Sequence, residues 1–147
     1  MFKHLLVPVD GTELSERAAE VSLGLAAKLG AKVTGFVAEP FPALPTMTAS
    51  AASYQREAQE HEARTEAHAQ QVLAAFAAKA AAAGVPFEGK FARNDDIDDA
   101  IAHAAAAHGC DLIVMVTHGR GAFGELLFGS HTKNVMSRTK LPLLVLH

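Results

Sequence analysis

Residues Phe2 to Thr12 read FKHLLVPVDGT. A mostly apolar run, Phe2 to Val9, stops at an acidic residue and a glycine, and a different periodicity begins at once. Leu14, Ala18, Val21, Leu25 and Leu29 recur at three or four residues, and Gly30 follows them. That spacing predicts an amphipathic helix with a glycine stop. Another apolar run, Lys32 to Val37, comes directly after. Strand, helix and strand in such quick succession define a βαβ unit, whose two strands lie parallel.

The pattern continues along the chain. Further strands are expected at Pro86 to Ala92, Asp111 to Val116 and Leu143 to Leu146, and several of the five runs are too apolar to keep one face in water. Residues from about Ala51 to Ala83 are rich in Ala, Glu and Gln and end at Gly84 and Pro86, so they read as the longest helix, its alanines permitting close packing on the sheet. A third helix is expected from a cap at Asp96, whose side chain suits the amides of Asp98 and Asp99, to about His108. A fourth runs from about Ser130 to Arg138. Between Glu39 and Ser50, Pro40, Pro42 and Pro45 leave little room for helix or strand, and a mobile loop or lid is expected. The fold class is α/β: one doubly wound domain, residues 1–147, with helices on both faces of a five-stranded parallel sheet.

With 147 residues, 50% hydrophobic and 20% charged, the chain can bury a core without cross-links. A net charge of −3, with 13 Lys and Arg scattered through the sequence, supplies no basic field for a nucleic acid. The only cysteine, Cys110, lies in an apolar run and reads as a buried, inert thiol compatible with a reducing compartment. No leader pattern and no apolar run of membrane-spanning length is visible, so a cytoplasmic protein without membrane insertion is expected.

Ligands of open α/β sheets collect beyond the carboxyl ends of the strands, where neighbouring crossovers part. Two loops there are unusual. One is Pro8, Val9, Asp10, Gly11 and Thr12. The other is Thr117, His118, Gly119, Arg120, Gly121, Ala122, Phe123 and Gly124, onward to Gly129 and Ser130, and Met115, Val116, His131 and Thr132 flank it as further candidate contacts. Its glycines admit a ligand close to the backbone, and a helix starting near Ser130 offers free amides to an anion. The spacing matches neither GxxxxGK nor a dinucleotide fingerprint after the first strand. Arg120 reads as a phosphate donor or a solvated loop cation, His118 as a donor or a loop brace, and Asp10 as a ligand contact or a helix cap. Eight histidines lack metal-ligand spacing, and no serine sits in a hydrolase elbow, so neither a metal site nor a catalytic constellation is expected.

Val7 to Glu16 (VPVDGTELSE), Leu112 to Gly121 (LIVMVTHGRG), Leu126 to Val135 (LLFGSHTKNV) and Leu141 to Leu146 (LPLLVL) resemble signatures of the universal stress protein family, over nearly the whole chain. The resemblance implies sheet order 3-2-1-4-5. It implies ATP, with Mg or Mn accompanying it, with Asp10 near ribose or phosphates and the backbone at Val37 and Ala38 near adenine. Gly119, Gly129, Ser130 and Thr132 would hold phosphate oxygens. Where the family's motif opens with a glycine this sequence has Val116, whose methyls would crowd a nucleotide that otherwise lies on bare backbone. Two functions are therefore carried forward: a non-enzymatic stress-response module that binds ATP, hydrolysing it slowly at most and signalling through a protein partner of unknown identity, and a module acting through protein contacts alone. An adenylating enzyme would need SGGxDS or HIGH-type motifs that the sequence lacks. The uncharged strand Leu143 to Leu146, if it ends the sheet, leaves an edge for the same strand of a second copy, so a homodimer is expected.

Overall fold

The computed structural model describes residues 1–117 and 130–147. The element order is β1 (His4–Pro8), α1 (Glu13–Leu29), β2 (Lys32–Glu39), α2 (Ala51–Ala83), β3 (Phe87–Arg93), α3 (Ile97–Ala107), β4 (Leu112–Val116), α4 (Ser130–Arg138) and β5 (Leu143–Leu146). The strands form one sheet in the order β3-β2-β1-β4-β5, and every pairing is parallel. This is the parallel five-stranded sheet expected from the sequence, in the order that the resemblance implies. β1 pairs with β2 from His4–Lys32 to Pro8–Phe36 and with β4 through Leu5–Leu112 and Leu6–Ile113.

The central strands are apolar because both of their faces are covered. Leu5 and Val7 point into a core with Leu23, Ala26, Val33, Phe76 and Ala80, beneath α1 and α2. Leu6 and Ile113 point the other way, to Ile101, Ala105 and Val135 of α3 and α4. Gly35 of β2 lies where the rings of Phe76 and Phe87 cross at 4.8 Å between centroids. A Cβ there would meet both rings at 2.7 Å, so only a glycine lets α2 settle on this strand.

Element ends differ from expectation for local reasons. β1 begins at His4 rather than Phe2, and β4 at Leu112 rather than Asp111. The Asp111 carboxylate accepts the amides of Lys3 and His4 instead of letting Asp111 extend the strand. β2 reaches Glu39 and β3 reaches Arg93 because their ladder continues through Ala38–Ala92 and Glu39–Arg93. The expected packing role of the α2 alanines is corrected: within this 33-residue helix only Ala69, Phe76 and Ala80 are buried. Most of its alanines face outward, where they serve helix propensity.

Residues 40–50 form neither helix nor strand. Their start is tied down: the Phe41 amide donates to Asp95, and Arg93 donates to the carbonyls of Pro40 and Glu62 and to Thr65 Oγ1.

Candidate functional site

The β1–α1 turn is built by its own side chains. Gly11 takes the left-handed conformation, φ +82°, that the tight turn requires. The Asp10 carboxylate accepts from the Thr12 amide at 2.9 Å and the Thr12 hydroxyl at 2.6 Å. Thr12 in turn caps α1 by accepting from the Ser15 amide. The cap is therefore Thr12, one step removed from the helix-cap role considered for Asp10, and Asp10 acts by holding Thr12 in place. The Asp10 amide donates to Ser15 Oγ, which closes the turn.

This turn forms one wall of a cleft of about 510 Å³ at the carboxyl ends of β1 and β4, with α1 packed on one face of the sheet and α3 and α4 on the other. The lining includes Pro8, Val9, Asp10, Ala38, Met115, Val116, Ser130, His131 and Thr132. All nine were singled out from sequence, and the fold brings them together. Val37 was singled out for its backbone alone; its side chain is 1% exposed and sits in the core under α1 and α2, on the other face of the sheet. Alternation along β2 puts Phe36 and Ala38 on the cleft side instead. His118, Gly119, Arg120 and Gly129, with Gly121 and Gly124, lie outside the described residues.

Thr12 and Thr117 of the two loops also line the cleft, and it holds groups that sequence reasoning did not assign to it: Leu14, Ser15, Phe36, Ile97, Asp98 and Ile101. Asp98 matters most chemically. On sequence it was one carboxylate among several at the start of α3, and nothing local distinguished it. In the structure its side chain is 8% exposed, and its two oxygens accept from His131 Nδ1 at 2.7 Å and Asn134 Nδ2 at 2.8 Å. The HTKN stretch of α4 supplies both donors, one turn apart.

Beside this pair, Asp96 caps α3 through the Asp99 amide and receives the Arg138 guanidinium at 2.6 Å. Arg138 first, and the Asp99 amide second, hold the Asp96 carboxyl below the usual carboxylate range. Among the described residues no three His, Cys, Asp or Glu side chains group as a metal site. His61 and His68 instead contact the Pro40 carbonyl and the Glu39 carboxylate. Cys110 is buried at the far end of the sheet from the cleft, and burial pushes its thiol up to about 11, which leaves it protonated and unreactive at neutral pH. No helix among the described residues is long and apolar enough to cross a membrane.

A parallel sheet of order 3-2-1-4-5 with a cleft at its switch point, walled by a strand-to-helix turn and the start of α4, defines a doubly wound α/β protein. The model of the universal stress protein family matches residues 1–147, and the chain belongs to that family. It is 30% identical over 154 residues to the universal stress protein in QAH/OAS sulfhydrylase 3'region of Thermus aquaticus, covering 99% of this chain and 98% of that one. Its fold is similar to that of the hypothetical protein MJ0577 (TM-score 0.80, 20% identity, 99% and 96% of the two chains). It is similar to a universal stress protein in complex with cAMP (0.71, 24%, 99% and 97%). It is also similar to a universal stress protein family protein from Arabidopsis thaliana with AMP bound (0.63, 16%, 98% and 90%).

Proposed function

We propose that this universal stress protein binds an adenine nucleotide, ATP in the first instance, in the cleft between β1 and β4, and works as a non-enzymatic signalling module. The observation that carries this reading is the composition of the cleft wall. An apolar floor of Pro8, Val9, Ala38 and Met115 suits a base, while Asp10 on one rim and Ser130 on the other suit ribose and phosphates; Thr132 lies buried beneath Ser130's turn of α4. Structural relatives that hold cAMP and AMP support the same ligand class. ATP supplies three phosphates, and an accompanying Mg or Mn would be held mainly by them, since Asp10 is the acidic side chain on the ligand rim of the β1–α1 turn. Mass spectrometry of small molecules released from the denatured protein tests the reading: a co-purified adenine nucleotide supports it.

A second reading rests on Val116, which lines the cleft where the family motif has glycine. In it no nucleotide binds and the protein acts through protein contacts. Val116→Gly separates the two, because a valine that merely crowds the ligand yields tighter ATP binding when removed. Both readings include a cytoplasmic homodimer joined through β5, the strand that ends the sheet beside β4. A single buried thiol suits the reducing compartment.

A further inference from the structure

We propose that Asp98 is a positioning residue for the phosphate end of the cleft: it clamps the first turn of α4 to α3, and so sets where Ser130 and the backbone beside it meet a phosphate. This inference rests on the nucleotide reading above and adds to it a residue that acts through α4. The helix depends on its neighbours for its place. It has nine residues, of which Thr132 and Val135 are buried, and a helix of that length is marginal on its own in water.

Burial of Thr132 and Val135 fixes how deep α4 rests on the sheet, but apolar contact is non-directional and leaves small slides and rotations cheap. Direction comes from Asp98. Its side chain is 8% exposed, and its two oxygens accept from His131 Nδ1 at 2.7 Å and Asn134 Nδ2 at 2.8 Å, from residues that share one face of α4. Two bonds from one carboxylate to neighbouring turns set both the rotation and the axial register of the helix. Asp98 is held in its turn, for it stands at the start of α3, where Asp96 accepts from the Asp99 amide at 3.0 Å. A second tie between the same helices, Arg138 to Asp96 at 2.6 Å, lies two turns further along α4 than His131, roughly 10 Å along the axis, and Arg138 does not line the cleft. The charge of Asp98 opposes a phosphate. Any gain in phosphate affinity that it brings must therefore come through position.

The test is calorimetry at one fixed pH with ATP and magnesium, and separately with adenosine, for the parent, Asp98→Ala, Asp98→Asn and Arg138→Ala. Asp98→Ala should lower ATP affinity about tenfold, the size of one hydrogen bond to a charged group, and leave adenosine affinity unchanged. Asp98→Asn should bring ATP affinity back to the parent's or above it. Its oxygen still accepts from His131, its nitrogen donates to an Asn134 amide turned end for end, and the opposing charge is gone. Arg138→Ala should bind both ligands as the parent does, although it too loses a tie between α3 and α4. Should Asp98→Ala not fold, Asn134→Leu removes one of the two bonds and should show the same selective loss, smaller in size. If ATP binds the parent and the variants equally, or if ATP and adenosine lose affinity together, or if Asp98→Asn is no better than Asp98→Ala, the positioning role is wrong and the nucleotide reading stands. If the parent binds no ATP, the nucleotide reading fails and the positioning role falls with it.

Discussion

The two carboxylate oxygens of Asp111 fasten β1 at the end of the sheet opposite the cleft, the one accepting the His4 amide at 3.0 Å and the other that of Lys3 at 2.8 Å. His4 is buried and its Nε2 lies 2.7 Å from Thr34 Oγ1. Desolvation, and then the charge of Lys32, lower the His4 pKa from 6.5. Burial works against the charge of Asp111, but the His4 and Lys3 amides outweigh it and its pKa is lowered from 3.8.

Both shifts predict acid sensitivity. The folded state resists protonating His4, so the stability His4 contributes is present above about 6.5 and is lost as pH falls toward its lower folded value. The contribution of Asp111 is lost later, below about 4, as pH falls through its own depressed value. Urea midpoints should drop between pH 7.5 and 5.5 in the parent and drop less in His4→Gln. Asp111→Ala should cost about 1 to 2 kcal/mol at neutral pH, the lower part of the range because the carboxylate is partly exposed. ATP affinity should be unaffected, since the carboxylate stands at the wrong end of the strand for the cleft.

Gly35→Ala should destabilise the fold by about 1 to 3 kcal/mol, because the new methyl meets the Phe76 and Phe87 rings at 2.7 Å. Chemical denaturation measures this directly. Pairing the change with Phe76→Leu should recover part of the loss, and an unchanged midpoint in Gly35→Ala would mean that α2 does not rest on β2 as described.

The fold was legible because its signals are local. LLVPV and LIVMV are buried on both faces and so lack polar alternation, and Gly30, Gly84 and Pro142 punctuate the helices between them. Most of the cleft was legible too, since residues at the carboxyl ends of β1 and β4 must meet once the strand order is known. Two things were hidden. The face on which Val37 lies depends on the pleat of β2, which an apolar run does not disclose. The Asp98–His131 contact joins residues 33 apart in sequence, and at the start of a helix Asp98 is indistinguishable by type from its capping neighbours.

The homodimer reading predicts the effect of one edge substitution. Pro142 and Leu146 turn their carbonyls to β4, accepting from Ile113 and Thr117. By the parity of a parallel ladder, Val145 turns its amide to the open edge. Val145→Pro removes that donor and leaves the β4 ladder intact. Light scattering should give the dimer mass for the parent at tens of micromolar and the monomer mass for the variant. A monomeric parent would reject the dimer.

Thermal unfolding with and without millimolar ATP and magnesium tests the nucleotide reading most directly. A ligand at about 100 times its dissociation constant adds about 2.7 kcal/mol to the folded state, which for a domain of this size raises Tm by roughly 5 to 10 °C. The parent should show that rise, a bulky residue at Gly129 should abolish it, Ser130→Ala should reduce it, and Val116→Gly should enlarge it. If neither the parent nor Val116→Gly shifts with ATP and magnesium, the cleft is not a nucleotide site and the protein-contact reading takes its place.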